Sequence, residues 1–444
     1  MSGMLARITN VRREEVGPVL AAATFFFCIL TALMVLRPAR EALGMQSGLD
    51  TVRLLFIGTA VVTLAVNPVF GWLVARFRRM AFIASTYAFF SVSLLVFWAL
   101  LTFAPEATGE ISGRVFYVWF SVFNLFVTMV FWALMADRFS LEQSKRFFAV
   151  IAVGGTCGAI FGPFLAQLLA EPLGTPSLIL VSVTFLGLAV FAAWLVTWLQ
   201  PERAAMTAEG DPEAPPAIDP KEIIGGSAWE GFRAVFKSRY LMGIMAFVII
   251  LAVMATFIYF TRLAMVAELG EDLDMRTRVF GQIDLITQVA TLLLQLIVAG
   301  HIMKRLGVHV ALLLLPITVI FGFIGLAIVG TLAALVIFEA AFRAVQRAIM
   351  RPARETLYTV VSREDKYKSK AFIDTFVYRT GDVAGAWTEG LLAKLGMALA
   401  GLASVAVPLA GVWGALAVWL GQAQKRKARE QEVERGLEPE PEAV

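Results

Sequence analysis

Twelve apolar runs, each long enough to cross a bilayer, occupy most of this chain, and they decide its fold class. A membrane span needs roughly 20 residues at a rise of about 1.5 Å each. The runs cover 17–43, 51–74, 81–103, 113–135, 147–169, 177–199, 240–266, 279–303, 308–330, 331–361, 371–392 and 397–422. Inside hydrocarbon the backbone must bond to itself, which leaves helices and closed barrels. A barrel would alternate apolar and polar residues, and these runs do not. The sequence predicts an all-α polytopic membrane protein of twelve transmembrane helices. Composition agrees, with 59% of residues hydrophobic and 16% charged, against about 25% charged in soluble proteins.

After the sixth run the composition changes. Pro201, Pro212, Pro215, Pro216 and Pro220 stand among acids and small residues, the mark of a linker. The linker parts the spans six and six. Two six-helix bundles are expected, over 1–200 and 239–424, joined by a cytoplasmic linker at 201–238 and followed by a disordered charged tail at 425–444. Within the linker, Phe232, Val235 and Phe236 at helical spacing predict a short amphipathic helix near 227–239.

Loop charge sets orientation, because basic loops stay in the cytoplasm. Alternate loops carry Arg76, Arg78 and Arg79; Lys145 and Arg146; Lys304 and Arg305; Lys366, Lys368 and Lys370; and Lys425, Arg426 and Lys427. The intervening loops carry Asp50, Glu106, Glu110, Glu171, Glu268, Glu271 and Asp272. Both termini are therefore expected in the cytoplasm, with the chain in a bacterial inner (plasma) membrane. No cleavage site follows the first apolar run, so it is expected to be retained. The net charge of +4 follows from these loops, and no nucleic-acid partner is expected.

One span is strongly charged. Residues 337–357 read IFEAAFRAVQRAIMRPARETL, with Glu339, Arg343, Arg347, Arg351, Arg354 and Glu355. Steps of three and four keep these on one face of a straight helix. Each arginine at mid-membrane costs about 2.5–3.5 kcal/mol on insertion scales, so the face must meet protein, water or a ligand. An internal ion-pair ladder is one reading. A cavity wall that recognises an anion is the other, and four arginines against two glutamates favour it. Arg343, Arg347 and Arg351 are expected to border a central cavity.

The heptapeptide RPAREAL at 37–43 returns as RPARETL at 351–357. Arg37, Arg40 and Glu41 thus join the substrate-binding set, as does Arg262 near the end of the seventh span. The two copies read either as charged gates at opposite ends of one cavity or as interfacial charge clusters. Asp137, Arg138, Asp284, Asp374, Arg379, Asp382 and Glu355 form the expected coupling or gating set, with Asp137, Asp284 and Asp382 placed to carry a proton. Asp284 and Gln288, four apart, also read as interhelical hydrogen-bonding groups. The run GGTCGAIFGP at 154–163 lacks a Gly-Lys-Ser/Thr ending and reads as a helix-packing surface. Cys28, Cys157, His301 and His309 imply neither a disulfide nor a metal site, and no cofactor is expected.

GWLVARFRRM at 71–80 resembles the loop signature of the major facilitator superfamily, with Ala75 where an acid is usual. SLEQSKRFF before the fifth span echoes SREDKYKSKAF before the eleventh, as that superfamily's repeat implies. FWALMADRFSLEQSKRFFAVIAVGGTCGAIFGP and KYKSKAFIDTFVYRTGDVAGAW are similar to the ATP/ADP translocase (nucleotide transporter) family. Gly381-Asp382 stands where those transporters carry Gly-Lys. The resemblance implies that spans one, four, seven and ten line the cavity, and it supports Asp137, Arg138, Asp374 and Asp382 as cavity-region positions.

The expected function is secondary transport of an organic anion, with phosphorylated, nucleotide-like anions in view, by alternating access. The alternatives are a proton-coupled exporter of drugs or lipids, and a membrane enzyme or lipid-handling scaffold. No His, Cys or Ser constellation has catalytic spacing, so enzyme activity is not expected. The expected partners are a small anionic substrate and membrane lipids, with the chain a monomer.

Overall fold

The computed structural model describes residues 15–76, 79–200, 228–298, 302–397 and 399–434, and every regular element among them is helical. The first six helices are α1 (Val16–Met45), α2 (Leu49–Arg76), α3 (Arg79–Phe103), α4 (Pro105–Arg138), α5 (Leu141–Leu173) and α6 (Ser177–Leu199). The short α7 (Ala228–Lys237) precedes α8 (Arg239–Ala267), α9 (Leu273–Val298) and α10 (Ile302–Val329). The last helix, α15, is Leu399–Glu434. Among the described residues, ten helices are long and apolar enough to cross a membrane: α1–α6, α8–α10 and α15.

The tenth and eleventh spans are broken helices. α11 (Leu332–Val345) passes through a π turn, Gln346–Met350, into α12 (Arg351–Thr356) and a 3-10 turn, Leu357–Val360. α13 (Arg363–Phe372) passes through a second π turn, Ile373–Val377, into α14 (Tyr378–Lys394). The first break has a visible cause. Pro352 cannot donate a backbone bond, and its ring crowds the carbonyl four residues back, that of Ala348. The wide turn contains that carbonyl, and the Arg351 N–H donates to the Gln346 carbonyl instead. The second turn is closed by Tyr378 N–H to the Ile373 carbonyl, with no proline beside it.

The chain folds as two compact units. The first comprises Met1–Ala217 together with Val266–Leu285. Its core is aromatic: Phe26 stacks on Phe131 at 4.2 Å, and Phe25 meets Tyr87 edge-on at 6.1 Å. Gly154, Gly158 and Gly162 face α1, and a Cβ on any of them would collide with Ala23, Phe27 or Met34. The small-residue run of α5 is thus a packing surface, as its spacing predicts. α5 starts with a capping box, in which Gln143 N–H donates to Ser140 Oγ and the Gln143 side chain accepts from Ser140 N–H.

The segment Val266–Leu285 lies in this unit, although the linker-based division places it in the other. Polar contacts hold it there. The Thr175 N–H donates to Asp274 at 2.6 Å, Thr175 meets Thr277 at 2.9 Å, and Arg278 pairs with Glu171 at 2.7 Å.

The second unit comprises Ile218–Met265 and Ile286–Val444. Trp413 is fully buried against Phe247, with ring centroids 5.2 Å apart. Gly381 and Gly385 of α14 pack against α8, where a Cβ would reach Ala252 at 2.6 Å and Thr256 at 3.0 Å. The charged tail does not begin at 425: α15 runs on to Glu434. The extension supplies donors to carbonyls left over by the 3-10 turn. Gln424 Nε2 donates to Thr356 O at 2.9 Å and Gln431 Nε2 to Val360 O at 3.2 Å. Residues 201–227 of the linker, residues 435–444 of the tail and the side chains of 67–81, with the loop signature, lie outside the described residues, as do His301 and the side chains of Lys304 and Arg305.

Candidate functional site

The charges of the tenth span sort into layers. Deepest is Glu339, 1% exposed, on α11. Its Oε1 accepts from Arg262 Nη1 at 3.4 Å, and Arg343 Nε approaches the same oxygen at 3.6 Å. Arg262, on α8, is 0% exposed. A buried carboxylate between two guanidiniums is costly to break from either side. Glu339 and Arg262, both in the expected substrate-binding set, are buried in the core of the second unit in this state.

Next comes Arg347, whose Nη1 donates to Gln288 Oε1 on α9. Arg343, Arg347 and Arg351 would share one face of a straight helix. The π turn adds a residue to the repeat between Arg343 and Arg351 and changes their phase. Arg343 and Arg347 take inward partners, and Arg351 and Arg354 line a cavity of about 480 Å³.

Both π turns meet at this cavity. Gln346 and Met350 come from the first, Asp374 from the second, Tyr378 from its end, and Leu251 from α8. Arg354 Nη2 pairs with Asp374 Oδ1 at 3.1 Å and lies 3.7 Å from Glu355 Oε1. Lys370 Nζ donates to Glu355 Oε2 at 2.5 Å. The lining therefore holds Arg351, Arg354 and Lys370 against Glu355 and Asp374. Arg351 is exposed and has no ion-pair or hydrogen-bond partner among the described residues. An always-protonated guanidinium facing a cavity with Tyr378 and the apolar Leu251 and Met350 beside it suits an anion with an apolar body.

The remaining expected residues lie elsewhere. In the first unit, Arg37 Nε stands 3.5 Å from Asp284 Oδ2. Arg40 donates to Glu41 Oε1 at 2.8 Å and to Tyr117 O at 3.2 Å, with its guanidinium 3.6 Å above the Tyr117 ring. Arg138 donates to Gln200 O at 3.2 Å, a cation capping the carboxyl end of α6. Asp137, beside it on α4, is half-buried. In the second unit Arg379 pairs with Asp382 at 3.2 Å within α14. Asp284 and Gln288, neighbours on one face of α9, have separate partners, Arg37 and Arg347.

Five lining residues fall outside the expected set: the apolar Leu251 and Met350, and the polar Gln346, Lys370 and Tyr378. Lys370 had a visible signal, since it ends the lysine-rich stretch that resembles the nucleotide transporters. Gln346 and Tyr378 are placed by the π turns, which the residue spacing does not reveal.

Comparisons with known proteins agree with this architecture. The chain is 24% identical over 341 residues to ADP,ATP carrier protein 1 of Chlamydia muridarum, covering 68% of this chain and 62% of that protein. The chain thus spans less than two thirds of that relative's length. Among solved structures, the nucleoside transporter NupG superposes with a TM-score of 0.64 at 11% identity, covering 92% of this chain and 99% of that one. The POT family transporter PepTSo gives 0.60 at 12% identity, covering 94% and 98%. A bacterial homologue of the iron transporter ferroportin gives 0.64 at 11% identity, covering 92% and 98%. These likenesses establish the fold: twelve membrane helices in two six-helix bundles. The Major Facilitator Superfamily model matches residues 18–352, three quarters of the chain, and the protein belongs to that superfamily of membrane transporters.

Proposed function

We propose that this transporter moves an organic anion, with phosphorylated, nucleotide-like anions as the leading class, by alternating access between its two bundles. The observation that carries the reading is Arg351, a guanidinium without a carboxylate partner at a cavity of about 480 Å³. Its neighbours Arg354 and Lys370 are paired with Asp374 and Glu355, so the lining has one cation more than its acids balance. An anion completes that balance, and the guanidinium fork suits phosphate or carboxylate. The ADP,ATP carrier relative supports the nucleotide-like class. Transport runs by exchange or on an ion gradient, and the chain acts as a monomer in the bacterial inner membrane. Both termini and the linker 201–238 are cytoplasmic. Arg262, Glu339, Arg343 and Arg347 brace the Arg351–Arg354 cavity within the second unit, and Arg37, Arg40 and Glu41 brace the first unit. Asp137, Arg138, Asp284, Asp374, Arg379, Asp382 and Glu355 serve coupling or gating.

The decisive experiment is a thermal-shift screen of the purified protein across nucleotides, sugar phosphates, peptides and lysolipids. A stabilising anion whose effect disappears in Arg351→Gln supports the reading. Stabilisation by cations or neutral lipids alone, unaffected by that change, overturns it. The proton-coupled alternative rests on Asp382, half-buried with Arg379. It predicts that Asp382→Asn abolishes the pH dependence of uptake, where an anion exchanger loses little.

A further inference from the structure

α7 is one residue from α8, a helix long and apolar enough to cross a membrane. Ser238 alone separates Lys237 from the start of α8 at Arg239. The helix packs on α13 through Phe232, whose ring meets Phe372 edge-on at 5.9 Å. Phe236 lies 4.5 Å from Phe232, and Phe376 stacks on Phe372 at 5.9 Å. Four rings thus form a continuous ladder from α7 onto the second π turn. Three of them are exposed: Phe232 at 40%, Phe236 at 49% and Phe376 at 40%. Val235 is fully buried and anchors the other side of α7.

Cations border this ladder. At about 100° per residue, Arg233 and Lys237 project from α7 just beyond Phe232 and Phe236. Arg239 follows at the mouth of α8. All three are exposed, and none has an ion-pair partner among the described residues. Glu230 is the one acid in the sequence of α7. Opposite, α13 carries Lys366 and Lys368.

We infer that this surface is a binding site for an anionic phospholipid of the leaflet bordering α7. The acyl chain lies along the phenylalanine ladder, and Arg233, Lys237 and Arg239 hold the headgroup phosphate. The observations favour a lipid over a soluble anion. The cations flank exposed apolar surface beside the first turn of α8, so one ligand satisfies both only if it has a tail. An amphipathic helix with aromatics on one side and basic residues beside them lies in the plane of the interface. Each basic residue there contributes about 1 kcal/mol toward anionic lipid, near fivefold in affinity.

The test uses the full chain purified in detergent, with lipid adducts counted by native mass spectrometry. Phosphatidylglycerol and phosphatidylcholine of matched chains compete at equal concentration. The expected result is several-fold preferential retention of phosphatidylglycerol. It falls about fivefold per charge removed in Arg233→Gln and Lys237→Gln and survives in Arg233→Lys. Phe236→Ser weakens retention of both lipids. Inorganic phosphate at millimolar concentration does not displace the lipid. Equal retention of the two lipids by the wild-type chain overturns the inference, whatever the variants do. So does displacement by free phosphate, which would make the surface a simple anion site.

Discussion

The same five residues, Arg-Pro-Ala-Arg-Glu, occur at 37–41 and at 351–355, and the fold treats them differently. In α1 the helix runs unbroken through Pro38, and each charge has a partner. Arg37 faces Asp284, and Arg40 has Glu41 together with the carbonyl and ring of Tyr117. In the second copy the helix widens into a π turn just before Pro352, and Arg354 keeps the Arg–Glu neighbour contact at 3.7 Å. Arg351, the counterpart of Arg37, faces a cavity and pairs with no acid among the described residues. A peptide motif therefore does not carry a function by itself. What surrounds it decides whether a guanidinium is a strut or a receptor.

The largest difference should appear in stability. Arg40→Ala takes the guanidinium from Glu41, 2% exposed, and should lower stability by about 3–5 kcal/mol. Arg351→Ala removes a cation with no ion-pair partner among the described residues and should change stability by no more than about 0.5 kcal/mol. Thermal unfolding in detergent reads both. The transport effects should run the other way round for Arg351→Ala, with anion uptake into proteoliposomes lost from a protein that is fully folded. Equal destabilisation by both changes would erase the distinction.

Arg351→Lys sharpens it. The ammonium keeps the charge and loses the two-pronged donor, so the anion should bind about tenfold more weakly, the cost of one hydrogen bond to a charged group. Arg37→Lys, whose partner is a single carboxylate oxygen at 3.5 Å, should leave anion affinity unchanged. Isothermal titration with the best anion from the screen measures both.

How much of this was legible beforehand follows from range. The apolar runs are local, and ten of them became helices long and apolar enough to cross a membrane. The surplus of arginine over acid is also local, and two of those arginines, Arg351 and Arg354, line a cavity. Pairings across helices are not local. The step of four from Glu339 to Arg343 is local, but nothing in the spacing says that Glu339 also takes Arg262, or that Asp374 reaches Arg354. The π turns are the costlier omission. Pro352 announced a disturbance without giving its form, and at Ile373–Val377 no residue announced one. Because each turn rotates everything after it, the cavity took Gln346 and Tyr378 while Arg347 went to Gln288.

Pro352→Ala tests that rotation. With the amide restored, the Ala348 carbonyl regains a donor four residues on, and the turn can tighten to α-helical. Stability should rise by about 1 kcal/mol, less than the ~3 kcal/mol of an unrelieved interior proline. The gain comes with a loss, since Arg351 rotates away from the cavity. A cysteine at 351, in a background without Cys28 and Cys157, should become less reactive to a charged thiol reagent when Pro352 is replaced. Pro38→Ala, in a helix already regular, should leave the phase of Arg40 and Glu41 unchanged.

The smallest effect concerns the pairs around the cavity itself. Glu355 and Lys370 are 41% and 35% exposed at their side chains, and their contact of 2.5 Å is reached by water. Screening reduces such a pair to roughly 0.2–1 kcal/mol. A double-mutant cycle with Glu355→Gln and Lys370→Met should return a coupling in that range, shrinking further as salt rises past about 0.15 M. The cycle on Arg40 and Glu41, 14% and 2% exposed, should give several times more and respond little to salt. The contrast matters because weak pairs can be exchanged. An entering anion can draw Arg354 or Lys370 from its acid at little cost, whereas the pairs of α1 hold. A strong, salt-insensitive Glu355–Lys370 coupling would make this cavity as rigid as the first motif, and Arg351 would then have to bind the substrate alone.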